Sequence, residues 1–319
     1  MEQLNRRQFL VASAATGLAV AGSNRLSAQQ ALATLRKAMI VGKIEEDGLK
    51  KLKDAGFDGV ETTAIVPPEE AAKGRAIADK LGMRIHSVLR GWAEFNSTDP
   101  AKVTASLETT QAALRAAQAY GADAVLLVPC RIGGMPMPEA WQFQIEFELK
   151  TGHLVKVLDG DNSKYAAYIE AHNHAIDSST EAVKKLIPTA EQTQVTLALE
   201  NVWNNLWVKP AIFNYFVASF SHPLVKAYFD IGNHVKYAPP QKWIRALSTR
   251  IAKCHIKDFK LNPDGHGGQF VHPRDGSIDW PDVRKALSDV GYQGWLTIED
   301  GGLSLDEFSK RLDLIIAGK

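Results

Sequence analysis

From Lys37 to the last helix, short apolar runs alternate with longer segments whose apolar positions recur at helical spacing. The apolar runs are Ala38–Val41, Met83–Leu89, Ala124–Pro129, Val195–Leu199, Val225–Phe229, Ile251–Ile256 and Gly294–Ile298. Gly56–Glu61 has the look of a turn feeding a further strand after the first. Near-continuous apolar runs of this length fit strands buried on both faces, as in a parallel sheet. Between them the spacing predicts helices over Glu45–Ala55, Glu69–Leu81, Asp99–Tyr120, Ile176–Gln192, Ala211–Phe220, Gln241–Thr249, Trp280–Val290 and Leu305–Ile316. Asp99-Pro100 and Asp279 with Pro281 mark helix starts, and Gly82 and Gly121 mark helix ends. Strand and helix alternating in this way predict a single α/β domain over residues 37–319, a (β/α)8 TIM barrel. The open doubly wound sheet is the alternative, but no G-x-G-x-x-G follows the first strand.

The rhythm breaks at two places. Residues 131–174 hold Gly133-Gly134, Pro136, Pro138, three aromatics and Asp159-Gly160-Asp161-Asn162, and are too long for an ordinary strand-to-helix connection. This stretch reads as a long insertion after strand 4, either a lid over the barrel mouth or a contact between copies of the chain. Residues 1–30 stand outside the fold. Arg6-Arg7 followed by Phe9-Leu10 and an alanine-rich apolar run to Ala21 resembles a twin-arginine export signal, too short to span a bilayer. The expectation is export to the periplasm, with no stable membrane span in the mature chain.

Composition narrows the function classes. Hydrophobic residues make up 45% and charged residues 23% of the 319, as in an ordinary globular protein. A net charge of +1 provides no basic field for nucleic acid or anionic lipid. The two cysteines, Cys130 and Cys254, each follow apolar strand residues and read as buried thiols.

The chemistry gathers at strand ends. Ala252–Lys260 carries His255, Lys257 and Asp258 behind an apolar run, and three other runs in this half end in Glu200, Asp230 and Glu299. In a barrel of parallel strands those carboxyl ends share one rim, where active sites lie. Three carboxylates brought together without a cation repel one another. A divalent ion held by Glu200, Asp230, His255 and Glu299 removes the conflict, and mixed oxygen and imidazole donors suit Mn²⁺, Mg²⁺, Co²⁺ or Zn²⁺.

The same stretches carry a resemblance. Leu199–Trp203 (LENVW), Tyr228–Asn233 (YFDIGN), His255–Phe259 (HIKDF) and Gly294–Glu299 (GWLTIE) are similar to the sugar phosphate isomerase/epimerase family of xylose-isomerase-like TIM barrels. In ketose 3-epimerases of that family a Glu, Asp, His, Glu quartet holds the metal, which by position implies the four residues above. The chain departs from the family at Asn233, where many members have a substrate-contacting His, and at Arg274, which lies beyond the glycine-rich stretch Asn262–Gly268.

The resemblance, together with this ligand set, implies an isomerase or epimerase of a small sugar or keto-sugar. A metal stabilises the enediolate left when an α-proton departs, with Glu200 and Glu299 as the proton-transfer pair. The alternative is a lyase that eliminates from a 3-keto-glycoside after the same proton abstraction. A nuclease on this barrel would need further histidines, one of them where Asn233 stands, and a phosphate-tracking surface. A sugar-binding barrel without turnover is the remaining class. Substrate-binding candidates are His86, Asn201, Trp203, Asn233 and Lys257, while His266 and His272 read as exposed and Trp92, Trp141 and Trp207 as packing residues.

Overall fold

The structure is a computed structural model and describes residues 35–319, so the export segment expected over residues 1–30 lies outside the described residues. Eight parallel strands close a barrel: β1 (Arg36–Val41), β2 (Gly59–Thr62), β3 (Arg84–Trp92), β4 (Ala124–Val128), then β7 (Thr196–Glu200), β8 (Val225–Asp230), β9 (Ile251–Ile256) and β12 (Trp295–Ile298). Closure comes from β1 pairing with β12, Arg36 opposite Trp295 through Met39 opposite Ile298. Alternate residues of the buried strands point inward and outward. Inward-facing Ala124, Leu126, Val128, Ala198 and Tyr228 form one apolar cluster, and the outward set packs beneath the helices in a larger one.

The helices are α1 (Glu46–Asp54), α2 (Pro68–Lys80), α3 (Pro100–Tyr120), α4 (Ala166–Thr193), α5 (Pro210–Ser219), α6 (Pro240–Leu247), α7 (Trp280–Asp289) and α8 (Leu305–Ile316). Their ends follow local chemistry. The Asp99 carboxylate accepts from Ala101 N at 2.9 Å to start α3, and Gly121, at φ 74°, ends it in the left-handed conformation. Asp279 does the same for α7, accepting from Asp282 N at 3.0 Å.

Three boundaries differ from the sequence expectation. The insertion after β4 ends at Tyr165 and not at His174, because α4 starts at Ala166 and buries Tyr168, His172, Ala175 and Ile176 along one face. The His172 Nε2 meets the Leu206 carbonyl at 3.0 Å in the core. Second, β3 runs on through a register shift between Leu89 and Gly91 to Trp92, so His86 lies in its first half, well below the rim. Third, Asn262–Gly268 is mostly the turn of a hairpin, β10 (Asp258–Leu261) against β11 (Gly268–Val271).

The insertion carries its own hairpin, β5 (Glu146–Phe147) with β6 (Leu154–Lys156). It lies against the β7 side of the rim: Ile132 N donates to Asn204 O at 3.0 Å, and Asn205 Nδ2 donates to Ile132 O at 2.7 Å. Trp141 stacks on His266 at the tip of the β10–β11 hairpin, ring centroids 4.4 Å apart. Cys130 and Cys254 are buried and unpaired. No helix of the described residues is long and apolar enough to cross a membrane.

Candidate metal centre

Glu200 ends β7, Asp230 ends β8, His255 is the penultimate residue of β9, and Glu299 follows β12 directly. These strands are consecutive around the barrel, so the four side chains converge on one quadrant of the carboxyl-terminal rim. One donor atom from each lies within 4.8 Å of all the others. Asp230 and His255 are fully buried and Glu200 nearly so, whereas the Glu299 side chain keeps 32% exposure and faces the mouth.

The electrostatics of this cluster follow from which ring nitrogen of His255 is occupied. Nε2 meets Glu61 Oε2 at 2.5 Å, and Glu61 also accepts from the Ser87 hydroxyl. With Nε2–H donated to Glu61, Nδ1 presents a lone pair 2.9 Å from Glu299 Oε2 and 3.5 Å from Glu200 Oε1. A lone pair against carboxylate oxygens requires a cation or a proton between them. His255 Nδ1 is buried without a hydrogen-bond partner, and Asp230 Oδ2 and Glu299 Oε2 are offset only by the shared Lys257 ammonium, an expensive condition unless something more binds there. Three carboxylates and one imidazole, with one lysine shared between two of the acids and no partner for the imidazole Nδ1, fit a divalent ion.

The proton affinities show the same conflict. Asp230 is raised to about 7, chiefly by burial, with Glu299 and Glu200 adding to the rise and Lys257 and His255 offsetting part of it. Burial also raises Glu200, against the pull of His255. Glu299 is held below the usual carboxylate range: burial opposes this, but His255 and Lys257 outweigh it. Burial likewise disfavours the charged form of His255, and the carboxylates of Glu61, Glu299 and Glu200 reverse that and raise it well above its ordinary value.

The remaining candidates divide. Lys257 belongs to the centre, its Nζ 3.0 Å from Glu299 Oε2 and 3.5 Å from Asp230 Oδ2. Asn233 belongs too: its backbone N–H donates to Asp230 Oδ1 at 2.6 Å and its Nδ2 lies 3.5 Å from Glu200 Oε1. Asn201 is turned to another task, clamping the β8 end by accepting from Asp230 N at 2.7 Å and donating to Asp230 O at 2.8 Å. Trp203 sits on the rim, donating its indole N–H to the Asn233 carbonyl. The Lys236 ammonium covers its ring at 3.5 Å, and Phe270 packs against it at 4.9 Å. His86 is not brought to the centre. It is buried inside the barrel, bonded to Thr297 Oγ1 at 3.0 Å and stacked on Trp295 at 4.5 Å.

Glu61 is the functional residue that sequence reasoning missed. It is fully buried on β2 and orients His255 from across the barrel interior, while the Tyr228 ring packs on the imidazole at 4.4 Å. The available signal was a carboxylate inside an apolar strand, Val60-Glu61-Thr62. Asp258 is structural: its Oδ2 accepts from Arg274 N, Gly276 N and Trp280 Nε1, fixing the loop after β11.

A profile of the xylose isomerase-like TIM barrel family matches residues 49–311. A search of curated proteins gives no match. Among solved structures, the D-allulose 3-epimerase from Methylomonas sp. in complex with D-allulose is similar at 18% identity and TM-score 0.65, over 90% of this chain and 98% of that one. The 3-keto-D-glucoside 4-epimerase from E. coli is similar at 12% identity and TM-score 0.65, over 89% and 99%. The IOLI protein with a binding zinc atom is similar at 14% identity and TM-score 0.63, over 88% and 96%. At these identities the likeness is one of fold.

Proposed function

The chain belongs to the xylose isomerase-like TIM barrel family, and from that premise we propose that it is a divalent-metal-dependent isomerase or epimerase of a small sugar or keto-sugar. The observation that carries the reading is the converging quartet of Glu200, Asp230, His255 and Glu299, whose donor atoms lie within 4.8 Å of one another at the mouth of the barrel. Solved relatives of the same fold that are named as epimerases of D-allulose and of a 3-keto-D-glucoside support the substrate class.

A divalent ion on these four residues would act as the electrophile that makes a proton α to a sugar carbonyl labile. The chain's own residues do the rest. Glu299 and Glu200 stand at the two ends of the strand arc and can address a bound carbon from different sides, one removing a proton and the other returning one. Glu61 holds the His255 ring in one orientation and one tautomer. Lys257 places a positive charge beside Glu299 and Asp230, where a developing oxyanion gains from it. Return of the proton to the opposite face of the same carbon gives epimerisation, and return to its neighbour gives isomerisation.

A lyase acting on 3-keto-glycosides uses the same first step, and the fold shared with a 3-keto-D-glucoside epimerase keeps it as the second reading. The test is solvent deuterium exchange at the α-carbon across a panel of keto-sugars with added Mn²⁺ or Mg²⁺. We expect incorporation with the wild type and a loss of about 100-fold or more with Glu299→Gln. Unchanged exchange in the variant would remove Glu299 from the proton-transfer role, and release of an aglycone in place of an isomer would select the lyase. The proposed place of action is the periplasm, from the Arg6-Arg7 segment. Replacing both arginines by lysine should hold the protein in the cytoplasmic fraction, and unaltered export would contradict the twin-arginine route.

A further inference from the structure

The metal centre does not end at Glu299. A cavity of about 600 Å³ opens outward from Glu299 and Lys257 along the β10–β11 hairpin, walled by Lys260, Gln269, Phe270 and His272 and floored by Asp300. This is the middle of the range for sites that enclose a drug-sized ligand, and a single sugar ring held at the quartet would leave most of it unfilled. We propose that this cavity is a subsite for the second ring of a glycoside, so that the preferred substrate is a disaccharide or glycoside and not a free monosaccharide. The proposal rests on the epimerase or isomerase reading for the placement of the first ring.

Three observations carry it. Phe270 keeps 44% exposure on the cavity wall, among the few large apolar side chains so exposed. An aromatic surface beside polar groups suits a sugar ring, which has apolar C–H faces and a hydroxylated edge. The ring is also fixed in place, with centroids 5.2 Å from Phe259 and 4.9 Å from Trp203. The Lys257 ammonium lies 5.3 Å from the Phe270 centroid and 3.0 Å from Glu299 Oε2, so the aromatic wall begins one side chain from the proton-transfer group.

The polar part of the wall offers hydroxyl partners: engaged carboxylates, and the Lys260 ammonium as a donor. The acids that face the cavity are already partnered: Asp300 with His272 Nδ1 at 2.7 Å, Asp275 with Arg311 at 2.8 Å, and Glu299 with Lys257. With Nδ1 held by Asp300, His272, its side chain 37% exposed, keeps Nε2 for another partner. Gln269 supplies one more donor and acceptor pair from the hairpin edge.

The experiment is calorimetry on the Mn²⁺-loaded protein with D-fructose and with three disaccharides that end in a fructose ring: lactulose, turanose and isomaltulose. The expected result is that at least one disaccharide binds about 10-fold or more tighter than D-fructose, with Phe270→Ala and Gln269→Ala each reducing that ratio several-fold. Melting curves check that both variants fold, and Gln269, exposed on the hairpin, carries the test if Phe270→Ala does not. Equal affinity for D-fructose and all three disaccharides overturns the proposal, as does equal weakening of both classes by the variants, or no binding at all. Deuterium exchange on the same samples separates the two readings. Disaccharide preference without exchange keeps the subsite and removes the reaction, and exchange without preference does the reverse.

Discussion

Glu61 shows how a residue far from the rim can govern the centre. Its carboxylate fixes the His255 tautomer, so that Nδ1 and not Nε2 faces Glu200 and Glu299. Outer partners of this kind are worth about 10–100-fold in metal affinity. Glu61→Gln should therefore weaken Mn²⁺ binding by about that factor in a calorimetric titration, with the chain still folded by circular dichroism; unchanged affinity would leave Glu61 a packing residue. At this scale the sequence was informative where chemistry sits at a strand end. Glu200, Asp230 and Glu299 each close an apolar run and could be placed on a common rim. Glu61 was not legible because its partner is 194 positions away, and only closure of the barrel brings β2 to face β9. His86 misled for the opposite reason: a longer β3 moves it from strand end to barrel interior.

Among the elements, local signals were reliable and long connections were not. The Asp99 and Asp279 caps and the Gly121 stop are visible in the chain because capping depends on neighbours only a few positions away. The extent of the insertion was not, since the first turns of α4 are anchored by contacts with the Asn205–Leu206 segment, which no local pattern announces. The strand β2 is the more demanding case. Gly59 opens it, and a Cβ there would lie 2.3 Å from the Arg84 carbonyl and 2.7 Å from the Trp295 ring. What looked like a turn glycine is a close-approach glycine between strands. Gly59→Ala should cost about 1–3 kcal/mol in a urea titration, as overpacking of a filled site does. A loss below about 0.5 kcal/mol would mean that the Arg84 carbonyl and the Trp295 ring both give way freely.

For the molecule as a whole, the proposed metal ion would compete with protons for the same buried atoms. Asp230 is raised to about 7 by its burial, with Glu299 and Glu200 adding to the effect and Lys257 offsetting part of it, so near neutrality it still holds part of a proton that an ion must displace. Metal affinity should therefore rise as pH goes from about 6 to about 8, with proton release seen as a buffer-dependent heat in calorimetry. An affinity flat across that window would show that Asp230 is already ionised there. Chelation should also lower the melting temperature, because an ion bound only by the folded state stabilises it.

The pairing of β1 with β12 sets an order in time. Glu299 directly follows the last barrel strand, the one whose register with Arg36–Met39 closes the ring. During synthesis the chain emerges from its amino terminus, so Glu200, Asp230 and His255 are all made before the strand that completes both the barrel and the ligand set. A growing or truncated chain that lacks β12 presents two open strand edges and only three of the four donors. In the proposed metal-binding protein, full ion affinity would thus wait for the last barrel strand, and uptake of the ion would report that the barrel has closed.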